Sequence, residues 1–165
     1  MACSRAASSK VFKTTVLGGT FDHLHAGHKK LLLEAVNRAT HKVVIGLSDG
    51  SLLENKKFKE YMESYDTRER ILREFLVSLN PDLTYEIVKI TDPYGPTLTS
   101  AELDAIIVSE ETVKGAAKIN ELRQSESHLP PLEVIVVDCL PSDVAGEKLS
   151  STQLREQEML RTQQA

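Results

Sequence analysis

The sequence predicts an open, doubly wound α/β domain on a parallel sheet of about five strands. Two observations carry this expectation. Short apolar runs rich in β-branched residues alternate with longer segments of helical period, the pattern of βαβ units joined by right-handed crossovers. Runs such as Val43-Val44-Ile45 and Val134-Ile135-Val136-Val137 do not alternate polar with apolar, so both faces of those strands are covered, as in parallel sheets. Sheets of this kind bind ligands at the carboxyl ends of their strands.

In order, the first strand runs from Val11 to Leu17 and closes on Gly18-Gly19. The stripe Leu31, Leu32, Ala35, Val36 and Ala39 marks the first helix. Lys42 to Leu47 forms the second strand. The segment from Ser48 to Ser64 is charged and weakly periodic, with Lys56, Lys57 and Lys59 close together. Ile71, Leu72, Phe75, Leu76 and Leu79 mark a second helix that stops at Asn80-Pro81, with Asp66 as its cap and Glu69 completing a capping box. Thr84 to Ile90 is the third strand, followed by the turn-rich loop Asp92-Pro93-Tyr94-Gly95-Pro96. Ala105 to Val108 is the fourth strand and Leu132 to Val137 the fifth, with a helix from about Thr112 to Arg123 between them. A last helix follows Ser150, where Ser150 and Gln153 again have capping-box spacing. Residues 1–10 read as a flexible N-terminus and 11–165 as one domain.

Composition bounds the function. Of 165 residues, 41% are hydrophobic and 27% charged, which suits a packed globular core. A net charge of -4 argues against a protein that coats nucleic acid, which needs a surplus of clustered Lys and Arg, but leaves room for a small anionic ligand in a local positive pocket. No apolar run reaches the length of a membrane span, and the first ten residues lack the apolar centre of a signal peptide. Cys3 and Cys139 make neither a disulfide framework nor a Cys-x-x-Cys metal pair, so a reducing, cytoplasmic setting is expected. No G-x-x-x-x-G-K-[ST] sequence is present, so P-loop kinase chemistry is not supported.

The sharpest motif is Gly18-Gly19-Thr20-Phe21-Asp22-His23-Leu24-His25-Ala26-Gly27-His28, between the first strand and the first helix. Gly18 and Gly19 permit a tight turn and close approach of backbone to a phosphate, and Thr20 adds a hydroxyl. His25 and His28 share one helix face if the helix begins near His25, and Gly27 leaves room for a bulky ligand beside them. The helix N-terminus adds free N–H groups and positive dipole character. Two imidazoles there can donate to charge that develops in a transition state. A lone histidine would read as a cap or core residue; two, with glycine between them at a strand end, favour chemistry. A zinc site is the alternative, but only Asp22 or His23 offers a third ligand nearby. A second motif, Ser150-Ser151-Thr152-Gln153-Leu154-Arg155, puts three hydroxyls and a guanidinium at a helix start; alone it reads as a good N-cap, and together with the first motif it becomes a candidate second anion site.

Together, Gly-Gly-Thr-Phe-Asp with His25-Ala-Gly-His28 and the late Ser-Ser-Thr-x-x-Arg resemble the adenylyl- and cytidylyltransferase superfamily that carries an H-x-G-H signature. Within it, Asp92-Pro-Tyr-Gly-Pro96, Ile107-Val-Ser-Glu-Glu-Thr112, Lys114-Gly, Ile119-Asn120 and Arg123 make the chain similar to phosphopantetheine adenylyltransferases of the eukaryotic type. The resemblance spans about Val16 to Arg155. It implies a Rossmann-like nucleotidyltransferase fold, the substrates ATP and 4′-phosphopantetheine, magnesium with the ATP, and dephospho-coenzyme A and pyrophosphate as products.

The resemblance also implies roles. His28 would stabilise the α-phosphate in the transition state, with His25 beside it on the triphosphate. Thr20 would orient the attacking phosphate. Lys56, or its close rival Lys57, would grip the reacting phosphates, and Arg68 would contact substrate or stand as a solvated helix charge. Ser150, Ser151 and Thr152, with Arg155, would hold the β- and γ-phosphates, and Glu111 would face the adenosine. The arginines that bacterial members carry after the fourth strand are replaced here by Ser109-Glu110-Glu111-Thr112. Lys114 and Arg123 are the cations nearby. Rival readings are a cytidylyltransferase or nicotinamide-mononucleotide adenylyltransferase of the same superfamily, and a catalytically silent nucleotide-binding or partner-binding subunit. Oligomeric state, and any companion kinase domain, are left open.

Overall fold

The computed structural model describes residues 11–53 and 59–137, with backbone alone at 51 and 59. Five strands form one sheet: β1 (Phe12–Gly19), β2 (Ala39–Ser48), β3 (Thr84–Ile90), β4 (Ala105–Ser109) and β5 (Glu133–Val137). Their spatial order is β3-β2-β1-β4-β5 and every pairing is parallel. Three α-helices are described, α1 (Ala26–Arg38), α2 (Tyr65–Leu79) and α3 (Val113–Leu122). β1 therefore stands at the point where the strand order reverses, where a doubly wound sheet opens a crevice.

The run Val43-Val44-Ile45 is covered on both faces as expected, whereas Val134-Ile135-Val136-Val137 lies in the edge strand β5 and is not, with Val136 46% exposed. One core cluster joins Leu32 and Val36 of α1 and Leu72 and Leu76 of α2 to Val43 and Ile45 of the sheet. A second joins Ala116 and Ile119 of α3 to Val16, Val44 and Ile106 on the other face. Truncating a fully buried leucine such as Leu72 to alanine would cost about 2–5 kcal/mol.

Three local differences from the sequence reading have physical causes. Ala39, counted on the helix stripe, caps α1 and pairs at once with Phe12, so β2 begins without a connecting loop. The cap of α2 is Ser64 rather than Asp66: Ser64 Oγ accepts from the Thr67 N–H at 3.2 Å, and Asp66 lies within the first turn, where its charge still favours the helix dipole. The third helix does not stop at Arg123 but continues as a π-turn, Arg123–Ser127, closed by His128 in the left-handed region at φ 54°.

Candidate active site

Gly18 pairs with Gly46 and Gly19 with Leu47 at the carboxyl end of the sheet. Neither Gly18 nor Gly19 makes the tight turn. The left-handed positions fall on Phe21 and His23, both at φ 49°. Such backbone persists in non-glycine residues only when its surroundings hold it. Here Phe21 is buried in the core, its ring filling the space that a Cβ on Gly19 would need, with Phe21 Cε2 only 3.3 Å away. Asp22 is fully buried. Its Oδ1 accepts from the Glu63 N–H at 2.8 Å and its Oδ2 lies 2.9 Å from His23 Nδ1, while the His23 N–H donates to Glu63 Oε1 at 2.9 Å. The motif loop is thus stapled to the segment before α2 by reciprocal bonds.

The chain then enters α1 with His25 as its cap. The Gly27 N–H donates to His25 Nδ1 at 3.1 Å, and the His25 N–H donates to His28 Nδ1 at 3.4 Å, the long end of the range. The two rings stack with centroids 3.8 Å apart and planes 20° apart, and His28 also leans on Phe21 at 5.3 Å. Gly27 leaves room, but His25 takes it: a Cβ there would stand 3.1 Å from His25 Cε1. His25, not open space, stands beside Gly27.

This capping fixes the chemistry of the pair. A nitrogen that accepts a backbone N–H carries no proton, so each neutral ring bears its proton on Nε2. Burial, and then the neighbouring His25, push the His28 pKa down to about 3 against a weaker upward pull from Asp22; burial also lowers that of His25. His28 is therefore neutral at physiological pH and presents an uncharged Nε2–H donor.

A cleft of about 440 Å³ opens at the same strand ends, within the ordinary range for small-molecule sites. Its walls include Gly18, Gly19 and Thr20 of the motif, Leu31 one turn beyond His28, and Ser109 and Thr112 after β4. The two histidine rings are not among its lining residues and stand at the start of the helix that carries Leu31. Among the described lining residues none is charged. Ser109 and Thr112 bond each other at 3.2 Å and so make a polar turn at the cleft, whereas Glu111, expected near the ligand, is exposed and is not on its wall.

Arg68 is neither a solvated charge nor open to a ligand. It is 2% exposed, and it donates through Nε to the Glu63 carbonyl at 3.0 Å and through one Nη to Thr20 at 3.0 Å and Ser48 at 2.9 Å. Its other Nη is 3.8 Å from Asp49. It ties together the carboxyl ends of β1 and β2, and burial lowers its pKa against the upward pull of Asp49. Arg123 is buried as well, so it does not replace the missing phosphate-binding arginines; Lys114 is exposed and off the cleft wall. Lys56, Lys57, Ser150, Ser151, Thr152 and Arg155 lie outside the described residues.

Among the described residues, one group has metal-ligand spacing, Asp22, His23 and Glu63. Its carboxylates are engaged by the backbone N–H groups of Glu63 and His23. It is a staple by construction and does not fit a magnesium ion, which demands an octahedral oxygen shell.

A family profile described as cytidylyltransferase-like matches residues 16–157, most of the chain. The chain belongs to the cytidylyltransferase-like family. Within this family it groups with curated proteins named phosphopantetheine adenylyltransferase. That of Pyrococcus abyssi is 43% identical over 145 residues, covering 87% of this chain and 89% of that protein. That of Saccharomyces cerevisiae is 44% identical over 147 residues, and the chain spans 48% of its length. The chain thus covers about half of the yeast relative and nearly all of the archaeal one. A structure of a protein of unknown function from Archaeoglobus fulgidus matches with a TM-score of 0.67 at 28% identity, covering 83% of this chain and 99% of that one. A tyrosyl-tRNA synthetase from the same organism shares the fold, with a TM-score of 0.62 at 12% identity. The cytidylyltransferase-like assignment agrees with the five-stranded parallel sheet and with the H-x-G-H motif at its switch point.

Proposed function

We propose that this chain moves AMP from ATP onto 4′-phosphopantetheine, giving dephospho-coenzyme A and pyrophosphate, in the cytoplasm. The observation that carries the reading is the stacked His25–His28 pair, capped at the start of α1, immediately beyond the Gly-Gly-Thr end of the central strand. The names of the archaeal and yeast relatives point to the same acceptor.

An oxygen of the acceptor phosphate attacks the α-phosphorus of ATP. A new P–O bond forms, the bond from the α-phosphorus to the bridging oxygen breaks, and pyrophosphate leaves with that oxygen. The acceptor oxygen is already ionised, so no general base is needed and catalysis rests on positioning and charge stabilisation. His28 donates its Nε2–H to an α-phosphate oxygen as charge builds there, with His25 beside it. A neutral donor suits this role because it needs no protonation before each turnover. Thr20 orients the acceptor phosphate, and Gly18 and Gly19 let backbone approach it. Lys56, with Lys57 as its rival, bridges the reacting phosphates. Ser150, Ser151, Thr152 and Arg155 hold the β- and γ-phosphates. Magnesium enters as part of the substrate, bound to the triphosphate, since such ions are commonly held by substrate phosphates and water. Arg68 acts through Thr20 and Ser48 as a positioning residue and does not touch substrate.

Pyrophosphate release from magnesium ATP, with and without 4′-phosphopantetheine, tests the reading. Acceptor-dependent release with dephospho-coenzyme A identified by mass is expected. Release with CTP and another phosphorylated acceptor instead would transfer the chain to a different branch of the family, and no release with any pair would leave a binding subunit.

A further inference from the structure

Residues 20–24 join the end of the central strand to the His25 cap of α1, and two of them, Phe21 and His23, are left-handed at φ 49°. Side chains other than glycine keep that backbone only where something outside the loop holds it. Phe21 is held by burial, at 3% exposed. His23 is less buried, and its N–H is held from across the fold by Glu63 Oε1 at 2.9 Å. His23 stands two residues before His25, so the place at which Glu63 holds the chain sets where the two histidine rings begin.

Glu63 is itself firmly seated. It directly precedes Ser64, the cap of α2, whose Oγ accepts from the Thr67 N–H at 3.2 Å, and α2 is fixed in the core by Leu72 and Leu76. The Glu63 N–H donates to Asp22 Oδ1 at 2.8 Å, and its carbonyl accepts from Arg68 Nε at 3.0 Å. Arg68 in turn reaches the Thr20 carbonyl at 3.0 Å. The contacts to Asp22 and Arg68 are made by the Glu63 backbone and survive any side chain at that position. The bond to His23 is made by the Glu63 side chain and does not.

This division lets one side chain act on the histidines while the fold stays in place. The His25 N–H meets His28 Nδ1 at 3.4 Å, already the long end of a hydrogen bond, so a small change in the angle at which the chain enters α1 is enough to release it. Once released, His28 Nδ1 no longer has to accept, and the ring is free to carry its proton on either nitrogen. A carboxylate oxygen is a strong acceptor for the His23 N–H, and an amide oxygen in the same place still accepts it, less strongly. Reach is therefore the property that matters here, ahead of charge.

We propose that Glu63 is a positioning residue for the stacked histidines: its side chain holds the His23 N–H, fixes the left-handed entry into α1 and so keeps the His28 proton on Nε2. Its effect on rate rests on the transfer reaction proposed above. Two substitutions separate reach from charge. Glu63→Asp keeps the charge and draws it back by one methylene; Glu63→Gln removes the charge and keeps an oxygen within reach. Two readouts are taken, steady-state kinetics with each substrate varied and the nitrogen-15 shifts of the His25 and His28 rings by NMR. In Glu63→Asp, kcat should fall about tenfold, as a small misplacement beside the reacting atoms does, with both KM values nearly unchanged. Its His28 shifts should move from the Nε2–H form toward a mixture of tautomers. Glu63→Gln should keep the Nε2–H form and recover most of the rate. If Glu63→Asp fails to fold, Glu63→Ala takes its place, removing the acceptor without a displaced charge. Unchanged ring shifts or an unchanged kcat in Glu63→Asp would overturn the inference, as would equal losses in the Asp and Gln variants. The ring shifts are read without turnover. An inactive wild-type chain would therefore sink the transfer reaction, while the shifts would still decide whether Glu63 holds the pair.

Discussion

Gly27→Ala separates the capping geometry from fold stability. The new Cβ would stand 3.1 Å from His25 Cε1 and 3.3 Å from His25 Nδ1. Carbon contacts settle at about 3.5–4.0 Å, so the ring must move by roughly half an ångström. His25 is only half-buried, so it can move, but doing so weakens the bond from the Gly27 N–H at 3.1 Å and shifts the stack on His28. Loss of a capping bond costs about 1 kcal/mol, and alanine in place of glycine in a helix returns up to about 1 kcal/mol. The two nearly cancel, so the urea midpoint should stay close to wild type. Turnover should not, because a displacement of this size beside the reacting phosphate costs about tenfold or more in kcat. Equilibrium unfolding and steady-state pyrophosphate release on the same preparation read both quantities. An unchanged kcat would mean that the His25 ring position is irrelevant to the reaction; a loss of several kcal/mol in stability would mean that the cap is not the flexible element described.

Ser64→Ala should destabilise by about 1 kcal/mol in urea unfolding, as capping losses do, while Asp66→Ala should cost clearly less; the reverse order would restore Asp66 as the cap. Arg68→Ala leaves the carbonyls of Thr20, Ser48 and Glu63 without their donor and should cost about 3 kcal/mol or more, whereas a loss below about 1 kcal/mol would return Arg68 to the status of an ordinary helix charge. Because the His28 pKa is lowered from 6.5 to about 3, the unfolded chain takes up that proton first as the pH falls. Stability from this site is therefore complete above 6.5 and is lost toward 3, by at most about 1.4 kcal/mol per pH unit. His28→Gln cannot titrate and should show a shallower acid limb between pH 7 and 5; identical limbs would show that His28 is not held neutral.

The central strands were legible because parallel strands buried on both faces leave unbroken apolar runs, as in Ala105–Ser109, whereas the edge strand Thr84–Ile90 is interrupted by Glu86 and Lys89 and was legible from its β-branched and aromatic residues between turn signals. The start of α1 at His25 was legible for a similar local reason: a strand ending in glycines, then a capping residue. What local pattern could not give were contacts made across the fold. Asp22 and Glu63 bond over 41 residues, and nothing near Asp22 in sequence announces Glu63. The left-handed positions went to Phe21 and His23 because core packing and that staple hold them, against their intrinsic preference. Both buried arginines did leave a trace: Arg68 precedes Leu72 and Leu76 at intervals of four, and Arg123 follows Ile119 by four, so each sits on its helix's apolar stripe. A charge in that register is a candidate structural clamp.

In the proposed reaction His28 is the donor to the phosphate being transferred. The kcat of His28→Ala, measured at pH 7.5 with magnesium ATP and 4′-phosphopantetheine both saturating and the fold verified by unfolding, tests this most directly. A fall of about a hundredfold or more is expected, the scale seen when a transition-state donor is removed. Turnover within a few-fold of wild type would contradict the assignment and remove the stacked pair from the chemistry.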